Sequence, residues 1–273
     1  MTRSSPEPGA ADTAGTGPVV VAHRGSSAAL PEHTIGAYLR AIEEGADGLE
    51  CDVRLTRDGH LVCIHDGKLD RVSNGTGKVS LRTLAELDEL DFGGWHPHPD
   101  GDRAAEPRTR VLALDTLLAA AVDAGRPLRL CVETKHPTRY GGDVEAALMV
   151  ALRRYGIDAP RPGNLVDVTV MSFSALAVRR LRRLAPALDT VFLVERVWAG
   201  VSTGRLPNGA KVFGPDLELV RVKPELVRRQ KERGHRVFVW TVNKPADVDL
   251  MLDLGVDAII TDRPREVLAH LGR

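Results

Sequence analysis

Nowhere in the 273 residues does an apolar run approach the ~18 residues that cross a bilayer as a helix. The N-terminus also lacks the apolar segment of a secretory signal. Residues 1–17 are Ser, Pro, Gly, Ala, Thr and a few charges, which predicts a disordered leader on a cytoplasmic protein without stable membrane insertion. No charge of either sign is in excess: 37 basic residues stand against 37 acidic ones, so no global field draws the chain to nucleic acid or to an anionic surface. The local run Val178-Arg179-Arg180-Leu181-Arg182-Arg183-Leu184 reads as the solvated face and last turn of an amphipathic helix that stops before Pro186. Cysteine is scarce, and Cys51, Cys63 and Cys131 each fall inside an expected strand. Such an odd set argues against a disulfide framework or a zinc site and suits a reducing compartment.

What is present is a β/α rhythm. Val19-Val20-Val21-Ala22 is the continuous apolar run of a buried parallel strand; it ends in His23-Arg24-Gly25 and is followed by a helix-period stretch over 35–44 closed by Gly45. A second strand covers 48–55. Asp58-Gly59 is a type I′ hairpin signal that returns the chain in an arm ending at His65. Residues 67–110 then lose the period apart from a short helix over 81–90, and read as an insertion across one face, carrying Trp95, His96 and His98. Regular spacing resumes with helices over 112–124, 144–155, 175–184, 224–233 and 245–254, the last two opened by a proline at the first helical position. Without the return arm there are eight buried strands, near Val20, Glu50, Val132, Thr169, Phe192, Val212, Val239 and Ile260. Eight strands alternating with helices over about 250 residues make a TIM (β/α)8 barrel at 18–273, with a small insertion after the hairpin that follows strand 2. A doubly wound open sheet is disfavoured because no Gly-x-Gly-x-x-Gly follows the first strand.

The chemistry concentrates on strand ends. In Gly48-Leu49-Glu50-Cys51-Asp52-Val53, the period of two puts Glu50 and Asp52 on one face, where their mutual repulsion is relieved most simply by a hard divalent cation such as Mg²⁺ or Ca²⁺. Glu133 and Lys135 repeat the two-residue spacing, adding a third carboxylate and a cation for an anionic ligand. His23 and Arg24 close the first strand before Gly25, in a turn suited to an anion, and the hairpin brings His65 near the carboxylates. Trp240 ends a late strand, at the barrel mouth.

Jointly, His23-Arg24-Gly25, Pro31-Glu32-His33-Thr34, Glu50-Cys51-Asp52-Val53, His65-Asp66, Glu133-Thr134-Lys135, Trp240-Thr241-Val242-Asn243 and Thr261-Asp262-Arg263-Pro264 resemble the glycerophosphodiester phosphodiesterases, from about Val19 to the C-terminus. The resemblance implies a TIM barrel with a small insertion that hydrolyses glycerophosphodiesters to glycerol 3-phosphate and an alcohol with Mg²⁺ or Ca²⁺. It implies Glu50, Asp52 and Glu133 as metal ligands, His23 and His65 as general acid and base, and Arg24 and Lys135 as phosphate ligands. Trp240 would pack against the glycerol. His23 is expected to take the proton from the nucleophile, water or a neighbouring glycerol hydroxyl, and His65 to protonate the leaving alkoxide, the reverse order being the alternative. His33 stands where the family more commonly has Asn; an imidazole there can donate like an amide, and its charge would titrate near neutral pH. Glu32 is expected either to hold Arg24 or to join the metal ligands. Three other readings compete: a lipid head-group hydrolase of the phospholipase D type, a non-catalytic phosphate-binding barrel, and an aldolase using Lys135 as a Schiff base.

Overall fold

A computed structural model describes residues 17–97, 108–197 and 199–273. The expected leader, Gly17 apart, lies outside the described residues, as do His98 and part of the expected insertion. The described strands are β1 (Val19–His23), β2 (Gly48–Leu55), β3 (Leu61–Cys63), β4 (Leu128–Thr134), β5 (Val166–Ser172), β6 (Asp189–Val194), β7 (Val212–Pro215), β8 (Arg236–Val239) and β9 (Ala258–Thr261). All but β3 are parallel, and β1 pairs with both β2 and β9, so the eight close into a barrel. The helices are α1 (Ile35–Glu43), α2 (Leu84–Asp88) in the insertion, α3 (Leu114–Asp123), α4 (Asp143–Arg154), α5 (Ala175–Leu184), α6 (Ala199–Ser202), α7 (Leu217–Val222), α8 (Glu225–Glu232), α9 (Pro245–Asp253) and α10 (Pro264–His270).

Alternation along the strands makes two cores. Val21, Cys131, Met171, Val191, Val212, Phe238 and Ile260 fill the barrel interior, while Leu49, Cys51, Leu130, Val132 and their neighbours face the helices. Each fully buried leucine, such as Leu49, Leu130 or Leu148, contributes about 1.5–3 kcal/mol. Gly48 opens β2 because a Cβ there would stand 2.6 Å from the Arg129 carbonyl oxygen of the neighbouring strand. The three cysteines are buried and free.

Three details differ from the pattern-based expectation. The hairpin is not a type I′ turn: Gly59 has φ of 85° but Asp58 is not left-handed, and the Gly59 amide donates to the Thr56 carbonyl at 3.2 Å. Thr56 also pairs with His60, giving a three-residue loop with a left-handed glycine, the geometry of a G1 bulge. Pro224 caps α8 rather than occupying its first turn, whereas Pro245 does open α9. Three short helices escaped the periodicity: the four-residue α6, and α7 and α10. At six and seven residues the latter two span less than two full turns, and Asp216 and Pro264 are their only start signals.

The insertion has its own small core. Leu69, Val72, Val79, Leu87 and Phe92 pack onto Val62 and Ile64 of the returning arm. Thr83 and Glu86 form a reciprocal capping box on α2, which lets a five-residue helix persist.

Candidate active site

Glu50 and Asp52 are buried within β2 and Glu133 near the C-terminal end of β4, where the register sets Asp52 directly beside Glu133. Each offers a carboxylate oxygen, and these atoms lie within 4.8 Å of one another. Burial and the Asp52 charge push the Glu133 carboxyl up to about 8 and Glu50 well above its usual range. Asp52 goes the other way. Burial raises it, but Lys135 (3.0 Å), His33 (2.9 Å) and Arg24 hold it well below the usual carboxylate range. Three buried carboxyls crowded together repel one another, and an all-oxygen donor set of this kind fits a hard divalent ion.

Lys135 donates to Glu133 Oε2 at 2.9 Å and ion-pairs with Asp52. Burial lowers its pKa, yet the two carboxylates outweigh burial and raise it. A Schiff-base lysine needs a free, neutral amine, and an ammonium held by two carboxylates speaks against the aldolase reading.

The β1 end is shaped by backbone. Arg24 (φ 58°) and Gly25 (φ 84°) are successive left-handed residues, and a Cβ on Gly25 would meet the Ala37 backbone at 2.6 Å, so only glycine fits. The turn aims the Arg24 amide at Glu50 Oε2, 3.1 Å away, and its guanidinium at Glu32 and Asp52. Arg24 Nε is 3.2 Å from Asp52 Oδ2 but misaligned for a hydrogen bond, so the attraction is one of charge. Glu32 accepts from Arg24 and from both terminal nitrogens of Arg71, which overcome its burial and hold it at about 2. It therefore holds Arg24 and does not join the carboxylate cluster.

His33 is left-handed as well, with φ of 57°, a conformation open chiefly to Asn, Asp and His among residues with a Cβ. That requirement explains how His can stand where Asn is usual. Its Nε2–H donates to Asp52 Oδ2, and Nδ1 lies 2.8 Å from the Tyr38 hydroxyl. The expectation that His33 titrates near neutral pH is corrected: complete burial pushes it below its usual range despite Asp52.

Both candidate acid–base histidines are backed by a carboxylate. His23 Nδ1–H donates to Asp262 Oδ1 at 2.7 Å, leaving Nε2 toward the site, 4.0 Å from Glu50. Asp262 also accepts from Ser27 and Asn243, and these bonds override its burial and hold it at about 2. His65 Nδ1–H donates to Asp66 at 2.7 Å, and Arg71 holds the other Asp66 oxygen at 2.8 Å. Burial, Arg24 and Lys135 bring His65 down to about 4, even though Asp52 pulls upward.

His23, Arg24, Glu50, His65, Glu133, Lys135 and Trp240 all line one open pocket of about 380 Å³ at the barrel mouth. Only Asp52, screened behind Lys135 and His33, is off the lining. Trp240 donates its indole N–H to the Gly214 carbonyl and meets Phe173 edge-to-face at 5.5 Å. Phe173 and Glu195 also line the pocket, and no motif pointed to them. Their only signal is position, one residue beyond β5 and β6. Asp66 and Asp262 lay inside recognised motifs without an assigned role, and Arg71 lay in aperiodic sequence.

The Glycerophosphoryl diester phosphodiesterase family model matches residues 23–266. A Mycobacterium tuberculosis protein named "Probable glycerophosphodiester phosphodiesterase 1" is 48% identical over 256 residues, 93% of this chain and 92% of that one. A glycerophosphodiester phosphodiesterase of Bacillus subtilis is 34% identical over 252 residues, 90% of this chain and 84% of that one. Among solved structures, an Oleispira antarctica phosphodiesterase in complex with the product sn-glycerol-3-phosphate superposes with a TM-score of 0.77 at 23% identity, covering 94% of this chain and 97% of its own. A glycerophosphodiester phosphodiesterase of Agrobacterium tumefaciens superposes with a TM-score of 0.71 at 26% identity, covering 92% and 99%. Among the described residues no helix is long and apolar enough to cross a membrane.

Proposed function

The chain belongs to the glycerophosphoryl diester phosphodiesterase family and is a phosphoric diester hydrolase; from that premise we propose that it releases glycerol 3-phosphate and an alcohol from glycerophosphodiesters in a divalent-metal-dependent, two-histidine reaction. The observation that carries this reading is convergence. Two carboxylates, two carboxylate-backed imidazoles and two cations line a single pocket, and the third carboxylate, Asp52, lies directly behind Lys135 and His33, within 4.8 Å of the other two.

Glu50, Asp52 and Glu133 would hold the metal, Mg²⁺ or Ca²⁺, which when bound neutralises phosphoryl charge as a Lewis acid. Arg24 and Lys135 bind the phosphodiester anion, Arg24 with planar donors and Lys135 as a point charge. Trp240 and Phe173 offer an apolar wall to the glycerol carbons. The surroundings favour the reverse of the proton order expected from sequence. His65, brought down to about 4, is neutral in the substrate-free enzyme and ready to accept the proton of the nucleophile through Nε2. His23, with Nδ1 held by Asp262 and Nε2 facing the site, is then placed to protonate the leaving alkoxide. A non-catalytic barrel has little support, because no acid, imidazole or cation that the chemistry requires is missing from this mouth.

The test is glycerol 3-phosphate release from glycerophosphocholine and glycerophosphoethanolamine after metal is stripped by a chelator, then with Mg²⁺, Ca²⁺ or Mn²⁺ restored. Release only with metal is the expected result. Full activity after stripping overturns the metal reading, and no release under any condition overturns the substrate class and revives a phospholipase D-type substrate.

A further inference from the structure

A second, open cavity lies between the insertion and the loop after β4. Five cations line it: Arg54, Lys68, Lys78, Lys135 and Arg139. No carboxylate does so among the described residues. Lys135 also lines the catalytic pocket, so the two spaces share this residue. Arg54 is fixed by two bonds to the His65 carbonyl, at 3.0 and 2.5 Å, and Tyr140 donates to the Ser80 carbonyl at 2.6 Å, tying the insertion to the β4 loop across the cavity.

The two insertion lysines are placed against their own repulsion. Lys68 and Lys78 are direct antiparallel partners, flanked by Leu69 N–H to Gly77 O (2.9 Å) and Val79 N–H to Gly67 O (3.1 Å). That makes them a non-hydrogen-bonded pair, the arrangement that brings opposed side chains closest, and like charges so placed destabilise a ladder. Neither has an ion-pair partner among the described residues, so nothing in the described fold offsets the cost.

We propose that this cavity binds an anionic group, such as a phosphate, carried by the departing alcohol, so that the enzyme prefers glycerophosphodiesters whose leaving group is itself phosphorylated. This rests on the proposed reaction and names its substrate class. Lys68, Lys78 and Arg139 grip the remote phosphate, while Lys135 stays with the scissile one.

Two measurements test it. In the first, kcat/KM is compared for glycerophosphoglycerol, glycerophosphocholine and glycerophosphoglycerol bearing a terminal phosphate. The phosphorylated substrate should lead by at least roughly tenfold, the factor that one charge-assisted hydrogen bond supplies. A Lys68→Glu/Lys78→Glu variant should lose that lead while turning over glycerophosphoglycerol as before. Lys68→Gln/Lys78→Gln, which adds no charge, should lose most of it. An absent preference, or an equal fall on all substrates, overturns the proposal. In the second, pyrophosphate is titrated calorimetrically into metal-stripped protein, where turnover plays no part. Wild type should bind it and both double variants should bind it far more weakly. No binding by wild type overturns the cavity as an anion site, and binding without the substrate preference overturns its assignment to the leaving group. If no glycerophosphodiester is cleaved with any metal, the reaction class falls, and the titration still decides whether the cavity holds an anion.

Discussion

The acidic centre inside the barrel and the basic cavity under the insertion share strand β2, which carries Glu50 and Asp52 inward and Arg54 at the rim, yet they are built on different terms. Inside the barrel every carboxyl of the cluster has a named partner: Glu50 the Arg24 amide, Asp52 the His33 and Lys135 donors, Glu133 the Lys135 ammonium. Under the insertion, Lys68 and Lys78 face each other on a short ladder with no ion pair among the described residues. A buried carboxylate must be paired or lose its charge, whereas an exposed lysine tolerates a like neighbour at small cost. The barrel therefore builds its charges into the fold, and the insertion holds its own in reserve for a ligand.

The largest expected effect follows from breaking the paired side. Asp52→Ala leaves Lys135, Arg24 and His33 without their shared anion, and urea unfolding should show a loss of roughly 3–5 kcal/mol, together with loss of activity. A stable, active Asp52→Ala protein would mean the centre is not the matched network described here.

Next come the two imidazoles. His23→Ala and His65→Ala should each lower the rate by roughly 10²–10⁴ with little change in melting temperature, since each exchanges one side-chain bond to a carboxylate for none. Wild-type turnover in both variants rules out the pair as acid and base.

The third effect is one of pH. In metal-free protein Glu133 has a folded pKa of about 8 against an ordinary value of 4.5, so the folded state holds the extra proton between these limits and stability falls as pH rises through them. Mg²⁺ or Ca²⁺ should accordingly raise the melting temperature more at pH 8 than at pH 6. An equal shift at both values would place the metal elsewhere. Asp262 has the opposite sign: held at about 2 against 3.8, it contributes stability that is present above 3.8 and lost as pH falls toward 2, so Asp262→Asn should flatten that acid limb.

The smallest effect lies on the unpaired side. Lys78→Thr removes a like-charge opposition and should stabilise the protein by roughly 0.2–1 kcal/mol, the reverse of what a structural lysine would do. A loss of stability instead would show that Lys78 already has a partner.

Much of the barrel was legible in advance because its signals are local. Apolar strand runs, the two-residue spacing of Glu50 with Asp52 and of Glu133 with Lys135, and glycine at the end of α1 each depend on a handful of adjacent residues. The ladder then set Asp52 beside Glu133. The hairpin turn was misjudged because Asp58-Gly59 serves a type I′ turn and a G1 bulge equally well, and the Thr56–His60 pairing chose between them. His33 was judged on its hydrogen bonding and the ordinary titration of an imidazole, while burial and a left-handed backbone governed its behaviour.

The sequence by itself determined the eightfold β/α order, the faces on which the carboxylates lie and the motifs that match the family, since period and spacing are properties of neighbouring residues. Only the tertiary structure decided that Asp262 stands behind His23 from 239 residues away, that Arg71 reaches from the insertion to Glu32 and Asp66, and that four more cations join Lys135 around a second cavity. Those contacts form where barrel closure brings the last strand to the first and folds the insertion over the mouth, and no local pattern encodes a distance across a closed ring.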